Sequence, residues 1–110
     1  MANTFKLKTK ANVGVTTVGI YTAPASTTTV VIGITLANTS GSGVNVGVAV
    51  SRTSDTQDDI NLLKNAPIPQ GSSLEFMGGN KIVLETKDQI NVDSDTNNSV
   101  DAALTIMEIT

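Results

Sequence analysis

The chain has 110 residues, a net charge of −3, three aromatic residues (Phe5, Tyr21, Phe76) and no His, Cys or Trp. This length fits one domain, 1–110, that can bury about two-thirds of the surface its unfolded chain exposes. Without cysteine there is no disulfide framework or thiolate chemistry, the mild acidity argues against a general nucleic-acid or membrane binder, and no run approaches a membrane span.

Residues 5–10, Phe-Lys-Leu-Lys-Thr-Lys, alternate apolar side chains with Lys6, Lys8 and Lys10. This pattern predicts an edge strand whose apolar face packs inward and whose lysines stay in water, discouraging edge-to-edge pairing. The same basic stripe is a candidate contact with an acidic neighbouring subunit. The basic start lacks the continuous apolar segment of a signal peptide. The reading therefore expects a soluble chain without a cleaved leader, folding in a reducing cytoplasm.

A short strand is predicted over 15–21, stopped by Pro24, which cannot donate to a ladder. Residues 28–38 follow, with Val30, Ile32, Ile34 and Leu36 at period two and smaller residues between them. These four predict one apolar face of a central strand, whose burial contributes roughly 6–12 kcal/mol before entropy is subtracted. After Gly41-Ser-Gly43, valines at 44, 46, 48 and 50 resume the alternation, so 28–50 reads as a β-hairpin with Gly47 at a bulge or close approach.

The polar, acidic stretch 51–59 reads as an exposed loop, with Asp55, Asp58 and Asp59 as candidate contacts. Residues 60–65 fit a strand or one helical turn equally, and 66–71 a rigid Pro/Gly turn. Strands are expected over 73–77, 81–86, 89–93 and 100–109. The last has Val100, Ala102, Leu104 and Ile106 on one face and Ala103, Met107 and Ile109 on the other. Such a strand is either covered on both faces or meets another subunit through Met107 and Ile109. Eight to nine short strands with no helix predict an all-β fold, an antiparallel β-sandwich of jelly-roll or immunoglobulin-like type.

Little here supports catalysis. The usual general base and the best nucleophile are missing with His and Cys, and no Gly-x-Ser-x-Gly elbow or phosphate-cradling loop occurs. The chain reads as no enzyme, with no cofactor. Asp93, Asp95, Asn97 and Asp101 imitate the odd-numbered positions of a calcium loop. However, Asn98 stands where glycine belongs and Leu104 where a bidentate carboxylate belongs, so the pattern reads as a hairpin loop rich in Asx-turns.

Three stretches, 21–39, 63–75 and 99–109, carry Y-T-x-P, T-V-V-I-G-I-T-L-x-N-T, P-x-G-x-S-L-E and, between the last two, K-I-V-L-E-x-x-D at 81–88. In this order they resemble small virion structural proteins of tailed bacteriophages, of marine cyanophage type. The resemblance implies a non-enzymatic capsid decoration (cement) protein or neck–tail accessory component, assembled in the host cytoplasm into the virion. It would act by packing with itself as a homo-oligomer and with other virion proteins such as capsid or tail subunits, and bind neither nucleic acid nor membrane. Two alternatives stand beside it: a receptor- or glycan-binding module of a tail fibre, and an immunoglobulin-like domain of a secreted non-viral assembly.

Overall fold

A computed structural model describes residues 2–52, 57–76 and 81–110. Among these there are nine strands and no helix: β1 (Asn3–Val13), β2 (Val18–Thr22), β3 (Thr28–Asn38), β4 (Val44–Ser51), β5 (Ile60–Ile68), β6 (Ser73–Phe76), β7 (Ile82–Leu84), β8 (Gln89–Ser94) and β9 (Val100–Ile109). One sheet runs β1-β9-β3-β6, with β7 also on β3, and the other runs β2-β8-β4-β5. Every pairing is antiparallel. The all-β sandwich expected from the period-two pattern is the fold.

The strand order decides between the two sandwich types. β6 pairs with Ile34–Ala37 and β7 with Thr29–Val31, so both lie along one side of β3 and share one position. The result is two layers of four positions, with the first and last strands adjacent and the chain crossing repeatedly between layers. That is the jelly-roll arrangement. The hairpin expected over 28–50 is not formed, because β3 and β4 lie in different sheets. Instead, Asn38 turns the chain into an arch. Its side-chain amide donates to the carbonyls of Ser42 (2.8 Å) and Ile68 (3.0 Å), and its Oδ1 accepts from the Ser40 amide (2.9 Å). Ten β3 residues then pair with β9, more ladder than a hairpin with the eight-residue β4 would provide.

The facing of β3 also departs from simple alternation. The register with β9 shifts between Val31 and Gly33, and a bulge of one residue exchanges the two faces beyond it. Val31, Ile34 and Leu36 are therefore buried, while Val30 and Ile32 lie half-buried on the outer side. The four large residues do not share a face. Val44, Val46, Val48 and Val50 do face inward. They meet Leu104, Ile106, Ile90, Val92 and Leu84 in a core that is almost wholly aliphatic.

Gly47 fulfils both sequence expectations. The β4–β5 register shifts at this position, and a Cβ there would lie 2.6 Å from Asp93 Oδ1. Residues 60–65 are strand, and β5 continues through Pro67 to Ile68, which an edge position permits. The turn shrinks to 69–72, with Gly71 at φ +72°. β9 lies between β1 and β3, burying Val100, Ala102, Leu104 and Ile106. Its other face, with half-buried Ala103, Met107 and Ile109, has no covering layer among the described residues.

Candidate functional site

β1 occupies an edge as expected, but with the opposite face inward. Lys6, Lys8 and Lys10 pair with Ile106, Leu104 and Ala102, whose side chains face the core. The three lysines consequently lie on the inner side, and Phe5 and Leu7 point outward, 70% and 64% exposed. A buried carboxylate supplies the reason. Glu108 of β9, 6% exposed, sits in the inter-sheet layer and binds Lys6 Nζ at 2.9 Å. The facing edge strand β2 has five residues against eleven in β1, so water still reaches the lysine stems.

Glu108 is the centre of a cross-sheet network. The Tyr21 hydroxyl donates to Glu108 Oε2 at 2.6 Å and lies 2.7 Å from Thr29 Oγ1. Lys8 Nζ stands 6.0 Å from the centre of the tyrosine ring. Burial and then the hydrogen bond to Glu108 push the Tyr21 pKa up to about 12. The tyrosine hydrogen bond, followed by Lys6, holds Glu108 below the usual carboxylate range. A tyrosine kept protonated beside a carboxylate kept ionised suits a structural clamp, since neither is poised to exchange a proton near neutrality.

A second clamp closes the other layer. Arg52 at the end of β4 reaches Asp88 Oδ2 through Nε and Glu85 Oε1 through Nη2, both at 2.7 Å. Asp88 is fully buried and also accepts the Glu85 amide at 2.9 Å. Neither network was legible in the sequence, because each joins segments far apart in the chain: Tyr21, Thr29 and Lys6 with Glu108, and Arg52 with the turn from Glu85 to Asp88.

The calcium-loop candidates are not brought together. Asp93 accepts from Thr17 Oγ1 at 3.2 Å, Asp95 from the Asn45 amide at 3.2 Å, and Asp101 from the Asn12 amide at 3.1 Å. Asn97 packs beside Gly14. Among the described residues no group of three or more acidic, His or Cys side chains could hold a metal ion. Of the acidic loop candidates, Asp59 accepts the Arg52 amide at 2.6 Å. Asp58 is exposed beside a shallow groove with Arg52, Ile60 and Val83, and Asp55 lies outside the described residues. A second groove, of about 270 Å³, lies on the outer face of the β2-β8-β4-β5 sheet between Asn61, Lys64, Asn91 and Asp93. It contains no nucleophile–base pair.

The distinctive surfaces are backbone and apolar rather than catalytic. Ala2 and Thr110 exchange both of their backbone hydrogen bonds. With the register beyond them, this places Thr4, Lys6, Lys8 and Lys10 at hydrogen-bonded positions against β9. The N–H and C=O groups of Asn3, Phe5, Leu7 and Thr9 therefore point away from the sheet, along a regular edge. The remaining edges are short or broken. β2 has five residues, β5 carries Pro67 and shifted register, and β6 and β7 have four and three residues.

No family model and no curated protein matches the chain. Among solved structures, the chain is similar to a Bacillus endospore appendage of a family of disulfide-linked pili. That match has a TM-score of 0.54 and 14% identity, and covers 99% of this chain and 87% of the other. It shows a shared fold. It also overturns the sequence resemblance: the full-length match is to a spore appendage protein, not to a phage virion protein. The tail-fibre alternative and the virion location fall with it.

Proposed function

We propose that this protein is a non-enzymatic structural subunit that polymerises with copies of itself into a surface fibre. The observation that carries this reading is the open edge of β1, whose outward groups at Asn3, Phe5, Leu7 and Thr9 form a regular template for another strand. A head-to-tail contact, in which the β1 edge meets a different edge of the next copy, does not close on itself and grows into a filament. The fold likeness to an appendage subunit supports the same reading. The chain has no cysteine, so its contacts are not disulfide-linked, unlike those of a disulfide-linked pilus, and a reductant leaves the filament intact.

The test is electron microscopy of the purified chain over a concentration series, beside the double variant Asn3→Pro, Thr9→Pro. Both prolines remove outward N–H groups and leave the β1–β9 bonds in place. Filaments are expected from the wild type and none from the variant. A wild-type chain that stays free of filaments at every concentration refutes the proposal.

A further inference from the structure

The outer face of the β1-β9-β3 sheet breaks the usual rule that the water-facing side of an antiparallel sheet is polar. Its half nearest the chain ends presents Phe5 and Leu7 from β1, Met107 and Ile109 from β9, Val30 from β3 and Val83 from β7. Phe5, Leu7 and Val83 are 70%, 64% and 56% exposed. The pairings Phe5↔Met107, Met107↔Val30 and Val30↔Val83 place four of these in one row across four strands. The patch is continuous, not a scatter of single exposed side chains.

We infer that this face packs against the same face of a second copy, sheet on sheet. The inference rests on the self-assembly reading above and adds a contact at right angles to the strand-edge one. Area is the first argument. Four strand positions about 4.8 Å apart, with strands up to eleven residues long, make a face of roughly 700 Å². A standard interface takes about 800 Å² from each partner, so the whole face with its rim, centred on an apolar half of roughly 350 Å², matches one side of such a contact.

Charge is the second argument. The strand positions of the apolar half carry no ionised side chain: Lys6 and Lys8 are turned to the other side of β1, Lys6 onto Glu108. The acids of this face, Asp101 and Glu75, pair with Ala37 and Thr35 toward its far end. A nucleic acid or an anionic membrane needs a row of cations here, and the lysines of β1 lie on its opposite face. The matching surface is flat, apolar and uncharged, and a second copy presents it. Related by a two-fold axis, the patch is its own complement, at the face-to-face spacing of about 10 Å found between packed sheets.

The experiment measures mass in solution by light scattering, in the Asn3→Pro, Thr9→Pro background where edge growth is blocked. The expected mass is twice that of the chain. Adding Phe5→Lys and Leu7→Lys is expected to halve it, and Phe5→Lys alone to weaken the dimer. Both side chains are mostly in water in the single chain, and an unchanged circular-dichroism spectrum checks the fold. A monomeric background variant, or a dimer that survives both lysines, overturns the inference. If the wild type forms filaments while the background variant is monomeric, only this inference fails. If the wild type stops at a dimer that Phe5→Lys dissociates, the inference holds and the filament proposal fails.

Discussion

Tyr21→Phe removes one oxygen atom and isolates the cross-sheet clamp. The ring remains, so no cavity is created, and the change reports on the hydroxyl alone. That hydroxyl donates to an ionised carboxylate at 2.6 Å and meets Thr29 Oγ1 at 2.7 Å, and Thr29 is 0% exposed. A hydrogen bond to a charged group is worth about 1.5–3 kcal/mol, and an orphaned buried hydroxyl costs about 1–3 kcal/mol. Glu108 keeps Lys6 on its other oxygen at 2.9 Å, which holds the sum to about 3 kcal/mol. For a domain of this size the melting temperature should fall by roughly 12–18 °C.

The same network sets a pH dependence. Tyrosine ionises near 10 in an unfolded chain and Tyr21 at about 12 in the folded one. Its stabilising contribution is complete below pH 10 and is lost as pH rises toward 12. For Glu108, held below its ordinary value, the contribution is complete above about pH 4.3 and disappears as pH falls through the folded-state value. In Tyr21→Phe the tyrosine part of the alkaline loss vanishes, and the acid loss, still beginning near the unfolded-state value, is smaller and ends at a higher pH. Thermal melts across pH measure both limbs. As the one tyrosine in a chain without Trp, Tyr21 also gives a clean tyrosinate absorbance titration. A folded-state transition at pH 10, or a substitution cost below about 0.5 kcal/mol, against the 1.5–3 kcal/mol a charged hydrogen bond contributes, would refute the clamp.

Leu104, fully buried in the middle of β9, should cost about 2–5 kcal/mol when truncated to Ala, through lost burial plus the cavity left between the sheets; urea denaturation measures it. Asp88→Ala leaves the Arg52 guanidinium without its buried partner and frees the Glu85 amide. It should destabilise by about 3–5 kcal/mol, well beyond Glu85→Ala, whose carboxylate is mostly exposed and contributes at most about 1 kcal/mol. Millimolar calcium should leave the melting temperature unchanged, because Asp93, Asp95 and Asp101 turn to three separate partners; a concentration-dependent rise would contradict this placement.

Period-two alternation alone determined that β3, β4 and β9 are strands and that two apolar layers must meet, since side chains on a pleated backbone alternate whatever their distant neighbours. It also showed that β9 carries two apolar faces, the feature from which the outer patch was legible in part. Alternation does not say which face turns inward. On β1 that was decided by Glu108, 102 positions from Lys6 in sequence and 2.9 Å away in space. On β3 it was decided by a bulge after Val31 that exchanges the faces midway. Sheet membership was tertiary as well: the glycine-rich link after β3 is compatible with a hairpin, and the longer ladder with β9 makes it an arch. Local residues fix how a strand is pleated, whereas only the partners across the sheet and across the core fix where its two faces look.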